Sequence, residues 1–79
     1  MTTLFDVLNA LGVREARNYA WSDAGAVTDD IVGEGDTSFV ESLLNEAASR
    51  GLVARRPGGF DPEYQLTRDG EMYVTTEGA

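Results

Sequence analysis

With 79 residues the chain is one small domain, and a domain of this size buries only about 60% of the surface its unfolded chain exposes. It has no cysteine and no histidine, which excludes a disulfide framework, a Cys/His zinc site and imidazole acid–base chemistry. Six basic residues, every one an arginine, face fourteen acidic ones for a net charge of −8, a balance that opposes approach to a polyanion wherever it is not locally neutralised.

The start, Met1-Thr2-Thr3-Leu4, has no basic region and no long apolar run. Neither a signal peptide nor a membrane span is expected, and a cytoplasmic location is the default. Thr3 to Leu11 predicts a first helix, with Thr3 and Asp6 in capping-box positions, an apolar stripe of Leu4, Val7, Leu8 and Leu11, and Gly12 as the stop. Val13 to Asp23 reads as a short second helix with Val13, Ala16 and Ala20 inward. Tyr19 and Trp21 are then either aromatics covering the edge of a thin core or an exposed patch for a partner. Ala26-Val27 predicts a very short strand, and Thr28 a cap for a helix Asp29–Val32 with acids in its first turn. Gly33-Glu34-Gly35 is the turn into the next helix.

Ser38 to Arg50 is the strongest helix. Phe39, Val40, Leu43, Leu44, Ala47 and Ala48 recur at helical spacing, and Ser38 with Glu41 matches a capping box, with Asp36 and Thr37 as competing caps. Gly51 is the expected C-terminal stop. Leu52–Arg56 and Glu63–Thr67 read as two antiparallel strands around a six-residue tip, Pro57-Gly58-Gly59-Phe60-Asp61-Pro62, punctuated by proline and glycine. Two strands are marginal alone, so this hairpin must rest on the helix before it. Thr67 caps a last short helix or turn, Arg68 to Val74, with Met72 and Tyr73 packing back. Thr75 to Ala79 is expected to fray.

A helix ending in Arg50-Gly51-Leu52-Val53, then a basic strand, a Gly-rich tip and Tyr64-x-Leu66-Thr67-x-x-Gly70, resembles the winged helix-turn-helix transcription regulators, most closely their PadR- and MarR-like branch. The resemblance covers roughly residues 28–73. It implies an α+β, mostly helical winged helix-turn-helix fold of three or four helices plus a C-terminal β-hairpin wing, as one domain over residues 1–74 with a frayed tail at 75–79. It further implies that the Ser38–Arg50 helix enters the major groove of duplex DNA and that the first helix is scaffold. Val13–Asp23 is longer than the corresponding family segment. The family's long C-terminal dimer helix has no counterpart before Ala79, so a homodimer is expected to use the first helix, the aromatic segment or the wing.

On that resemblance the DNA-facing residues are Thr37, Ser38, Glu41, Ser42 and Asn45 on the helix, and Arg55, Arg56 and Arg68 on and after the wing. Asparagine pairs with adenine, serine bonds base edges or phosphate, and glutamate accepts from cytosine N4. The positive end of the helix dipole would favour a nearby phosphate. Arginine suits phosphates and narrow minor grooves, and strand alternation puts Arg55 and Arg56 on opposite faces. The alternatives are a solvated helix face, and wing arginines paired internally with Asp61, Glu63 or Glu46. Arg14 and Arg17 suit surface salt bridges.

Nothing points to catalysis. No serine has a visible base partner, and no phosphate-cradling glycine loop occurs. Asp29, Asp30, Glu34 and Asp36 lack the spacing of a calcium loop. The expectation is no enzyme, no cofactor and no metal. Dense Asp/Glu without lysine resembles the proteins of salt-accumulating halophiles, where at ~1 M salt the screening length of about 3 Å removes long-range repulsion. The other explanation is a GC-rich genome combined with an acidic protein partner. Two functions remain: a sequence-specific duplex-DNA-binding transcription regulator, or a winged-helix module that binds a protein. Neither involves a membrane.

Overall fold

In the computed structural model, which describes residues 2–78, the first helix starts with the expected reciprocal cap. The Thr3 hydroxyl accepts from the Asp6 N–H at 3.2 Å, and the Asp6 carboxylate accepts from the Thr3 N–H at 2.9 Å. The helix, α1 (Leu4–Ala16), runs straight through Gly12. A glycine inside a helix costs only about 0.5–1 kcal/mol, less than the burial of Val7, Leu8 and Leu11 supplies. A Cβ at Gly12 would come within 3.2 Å of Leu66 Cδ1, so the small residue lets α1 cross the sheet closely. The true stop is Asn18, at φ 73°. Its N–H donates to Glu15 O at 3.1 Å and the Tyr19 N–H to Arg14 O at 3.0 Å, a closure in which asparagine can stand in for glycine.

The second helix expected over Val13–Asp23 is therefore absent. Val13–Ala16 completes α1, and the chain turns through Tyr19 and Trp21 into β1 (Ser22–Asp23). The expected short third strand exists, but at Ser22–Asp23 rather than Ala26–Val27. Asp23 caps α2 (Ala24–Asp30), its carboxylate accepting from the Ala26 N–H at 2.7 Å. Thr28, read as the cap, lies buried inside α2 and donates its hydroxyl to Ala24 O at 2.7 Å. The helix begins earlier because Ala24, Val27, Thr28 and Ile31 form the stripe that meets the core.

After the turn 31–36, α3 (Thr37–Ser49) begins at Asp36, whose carboxylate accepts from the Phe39 N–H at 3.2 Å. The Ser38–Glu41 capping box does not form. α3 ends as expected: Gly51 sits at φ 75°, and the Leu52 N–H reaches back to Ala47 O at 2.9 Å. β2 (Val53–Arg56) and β3 (Glu63–Leu66) pair antiparallel around the six-residue tip, Val53 opposite Leu66 and Arg56 opposite Glu63. β1 lies on the other side of β3, giving the order β1-β3-β2.

Thr67 caps α4 (Arg68–Glu77) through the Gly70 N–H at 3.1 Å. A Cβ on Gly70 would collide with the Leu52 carbonyl, so this glycine lets α4 start directly on the entry to β2. α4 continues three residues past the expected Val74, so 75–77 is helical rather than frayed; Ala79 of that tail, like Met1, lies outside the described residues. Tyr73 and Val74 pack against the core, whereas Met72 is exposed rather than packed back.

The fold is α+β and mostly helical, with α1, α2 and α3 around one core and the hairpin beside them as a wing. Val7, Leu8, Leu11, Val27, Val40, Leu44 and Tyr64 have no solvent exposure. Among the described residues no helix is long and apolar enough to cross a membrane.

Candidate functional site

Helical spacing decides what α3 shows to solvent. Val40, Leu44 and Ala47 are buried. On the opposite side Ser38, Ser42, Asn45 and Ser49 follow one another at intervals of three and four and form an outer ridge. All four are exposed and none is charged. Glu41, half-buried, flanks the ridge on one side; Glu46, 3.8 Å from Arg50, flanks it on the other. Thr37 is exposed in the first turn. Two of the ridge serines turn their hydrogens inward: Ser42 Oγ donates to Phe39 O at 2.7 Å and Ser49 Oγ to Asn45 O at 3.2 Å.

The wing has two chemically different faces. Cross-strand partners share a face, so Val53, Arg55, Tyr64 and Leu66 lie on the side turned toward the helices, and Ala54, Arg56, Glu63 and Gln65 on the other. Tyr64 is fully buried, yet its hydroxyl emerges at α3 and donates to Asn45 Oδ1 at 3.0 Å. Arg55 stands opposite Tyr64 on the same face, exposed, with no ion pair or hydrogen bond from its side chain among the described residues. Arg56 is engaged elsewhere. Its Nε donates to Glu63 Oε1 at 2.9 Å, and its guanidinium lies 4.3 Å from the centre of the Trp21 ring. Gln65 adds a bond to Ala20 O at 3.1 Å on that same outer face.

Of the residues expected from sequence, the structure puts Ser38, Ser42 and Asn45 on one ridge of α3 and Arg55 on the wing face whose Tyr64 reaches Asn45. Arg56 takes up the internal pairing with Glu63 that was its alternative. Arg68, exposed at the start of α4, follows the far end of β3 and stands apart from Arg55. Ser49, on the same ridge, and Tyr64, bonded to Asn45, were not singled out from the sequence. Ser49 was available from spacing alone, four residues after Asn45; the Tyr64 contact spans nineteen residues and had no local signal. Trp21 is an anchor, half-buried under Arg56, whereas Tyr19 is exposed with Arg14 4.6 Å from its ring centre. Arg14 also pins α1 to its neighbours, donating to Ser22 Oγ at 2.8 Å and pairing with Asp30 at 3.2 Å. Arg17 has no ion pair among the described residues.

Two carboxylates depart from their ordinary titration. Burial pushes the Glu15 carboxyl up, partly offset by the Leu66 N–H donating to it at 2.9 Å, with Glu71 nearby adding a further upward push. Glu34 is held below the usual range by the Thr2 hydroxyl and by the Asp36 N–H. Glu34 thereby ties the turn before α3 to the start of α1. Among the described residues no group of three or more acids is arranged to hold a metal ion, so Asp29, Asp30, Glu34 and Asp36 do not form such a set.

No family model and no curated protein matches the chain. Solved structures do. BpsR of Bordetella bronchiseptica, in a structure addressing how 6-hydroxynicotinic acid regulates its DNA binding, is similar at a TM-score of 0.73 and 23% identity, over 95% of this chain and 50% of that one. The Rio2 kinase of Chaetomium thermophilum, in an ADP/Mg2+-phosphoaspartate complex, is similar at 0.77 and 23% identity, over 99% of this chain and 23% of that one. The chain thus spans half of one neighbour and about a quarter of the other. At this identity the likeness establishes the fold alone. The same fold occurs within a kinase chain, so function has to be argued from the site.

Proposed function

We propose that this chain binds duplex DNA as a transcription regulator, with the outer ridge of α3 in the major groove and Arg55 on a backbone phosphate. The observation that carries this reading is the ridge Ser38-Ser42-Asn45-Ser49: one exposed line of α3, about three turns long, with its carboxylates Glu41 and Glu46 kept to the flanks, in a chain of net charge −8. Short neutral side chains let a helix backbone approach base edges, and any acid there would meet phosphate repulsion. Asp36 at the cap of α3 offsets the helix dipole, so phosphate anchoring falls to Arg55 rather than to the helix N-terminus. High salt suits the acidic remainder, since screening removes long-range repulsion and leaves contact chemistry. The reading extends to a PadR- or MarR-like regulator of a halophile, acting as a cytoplasmic homodimer without enzymatic activity or cofactor.

A second reading, a protein-binding module, is favoured by one observation. Phe60 at the wing tip is fully exposed, and a bare aromatic next to Asp61 suits a protein partner better than a phosphate backbone.

The test is fluorescence anisotropy against pooled fragments of the source genome, titrated from about 0.1 to 2 M KCl. Saturable binding to a few fragments, weakened by Arg55→Ala with a salt slope smaller by about 0.9, is the expected result. Arg56→Ala should leave that slope unchanged. Absence of selective binding across the whole salt range would sink the DNA reading and favour the protein partner.

A further inference from the structure

An asparagine side chain carries two donor hydrogens on nitrogen and an acceptor oxygen, and it pairs with adenine only by using both ends: the oxygen takes N6–H while the nitrogen gives to N7. In this chain the oxygen end of Asn45 is already held. Tyr64 has no solvent exposure, so its ring is locked in the core and its hydroxyl approaches α3 from one fixed direction. That hydroxyl donates to Asn45 Oδ1 at 3.0 Å. The bond orients the amide, oxygen toward the wing and nitrogen away from it. Nothing on the ridge competes for the amide, because Ser49 and Ser42 donate to backbone carbonyls instead.

We infer, resting on the DNA reading above, that Asn45 is a specificity-determining residue that presents only donors to the major groove, and that Tyr64 sets this polarity from within the core. A donor-only amide matches guanine, whose N7 and O6 are adjacent acceptors. It is mismatched to adenine, where the N6 donor faces it, and to the N4 donor of cytosine. The recognised base pair at this position is therefore G·C read from the guanine side, not the A·T pair that an unrestrained asparagine selects. Arg55, on the same face as Tyr64, adds a second donor-only group beside it. The identity of a buried tyrosine thus controls a base preference without touching DNA.

The experiment is selection of duplexes from a randomised pool by the wild-type chain and three variants. Asn45→Ala identifies the position read, by losing preference there and nowhere else. Tyr64→Phe keeps the ring and removes only the hydroxyl, freeing the amide to turn; the guanine-to-adenine ratio at that position should fall by roughly tenfold. Asn45→Asp, at an exposed site that does not threaten folding, keeps an acceptor toward Tyr64 and presents a carboxylate outward, so preference should move to cytosine. A wild-type chain that enriches no sequence overturns this inference together with the DNA reading. Enrichment with no position sensitive to Asn45→Ala, or a position at which Tyr64→Phe leaves the guanine preference intact and Asn45→Asp brings no gain of cytosine, overturns the inference alone and leaves the DNA reading standing.

Discussion

Glu15 offers a sharp test of how the two-residue strand β1 is tolerated. β1 pairs only with Tyr64 and Glu63, so the next β3 donor facing that way, the Leu66 N–H, has no strand partner. Glu15 supplies the acceptor from α1 at 2.9 Å. Glu15→Ala leaves that N–H unpaired. An orphaned donor costs about 1–3 kcal/mol when buried, and the part-buried position here points to about 1 kcal/mol, or a fall in Tm of about 4–8 °C for a domain of this size. Glu15→Gln keeps an acceptor but removes the charge. Because burial and Glu71 raise the carboxyl above its reference value of 4.5, the folded chain holds a proton that the unfolded chain has released. The stabilisation from that proton is complete below pH 4.5 and is lost as pH rises through the folded value. The glutamine variant does not titrate, so its Tm minus that of wild type should increase between about pH 4 and pH 7. Thermal melts of all three proteins across that range decide the matter. A glutamine variant as unstable as the alanine variant, or a difference that does not change with pH, would refute the account.

Glu34 should act in the opposite sense. Its carboxyl is lowered by the Thr2 and Asp36 bonds, so its contribution is present above pH 4.5 and lost as pH falls through the depressed value; Glu34→Gln should blunt the acid sensitivity of Tm below about pH 5. Gly70→Ala drives a methyl into the Leu52 carbonyl and should cost about 1–3 kcal/mol in urea unfolding, whereas Gly59→Ala, with open space around it, should change little. Arg56→Ala and Trp21→Ala should each destabilise, with a coupling in a double-mutant cycle of about 0.5–1 kcal/mol. Arg55→Ala should stay within about 0.5 kcal/mol of wild type, and a larger loss would mean that Arg55 is held internally.

Where the chain's own chemistry is local, the sequence was readable. Gly51 and the Pro57–Pro62 tip set φ values and remove donors within a few residues, so the end of α3, the hairpin and its six-residue loop follow from those residues alone. Thr3 with Asp6 and Thr67 before α4 were equally local. The misread stretch is the one where several weak local signals compete and packing decides. Gly12 looks like a stop because glycine usually is one, but its helical penalty is small beside a buried stripe. Asp23 and Thr28 are both credible caps, and the choice between them rests on Val27 meeting the core. β1 is two residues long and exists only because β3 offers an edge.

The site divides along the same line. Helical periodicity was enough to put Ser38, Ser42 and Asn45 on the exposed face of α3, and strand alternation enough to separate Arg55 from Arg56. Which of the two arginines looks toward α3 depended on where the helix packs, and that is set by Val53 and Tyr64 going into the core. On the DNA reading, the net charge of −8 is a poor guide for a related reason. Charge summed over a chain governs long-range approach and is erased by salt, whereas contact is governed by the few side chains on one ridge. On α3 the acids are displaced to the flanks, Glu41 to one side and Glu46 to the other, with Glu46 beside Arg50. An acidic protein can present a neutral helix face when its carboxylates sit off the contact angle. A charge scan of the ridge separates the two effects: Ser42→Glu should weaken DNA binding at every salt concentration, while Asp69→Asn on α4 should alter it only at low salt. Equal sensitivity to both substitutions would mean that total charge, not the ridge, controls binding.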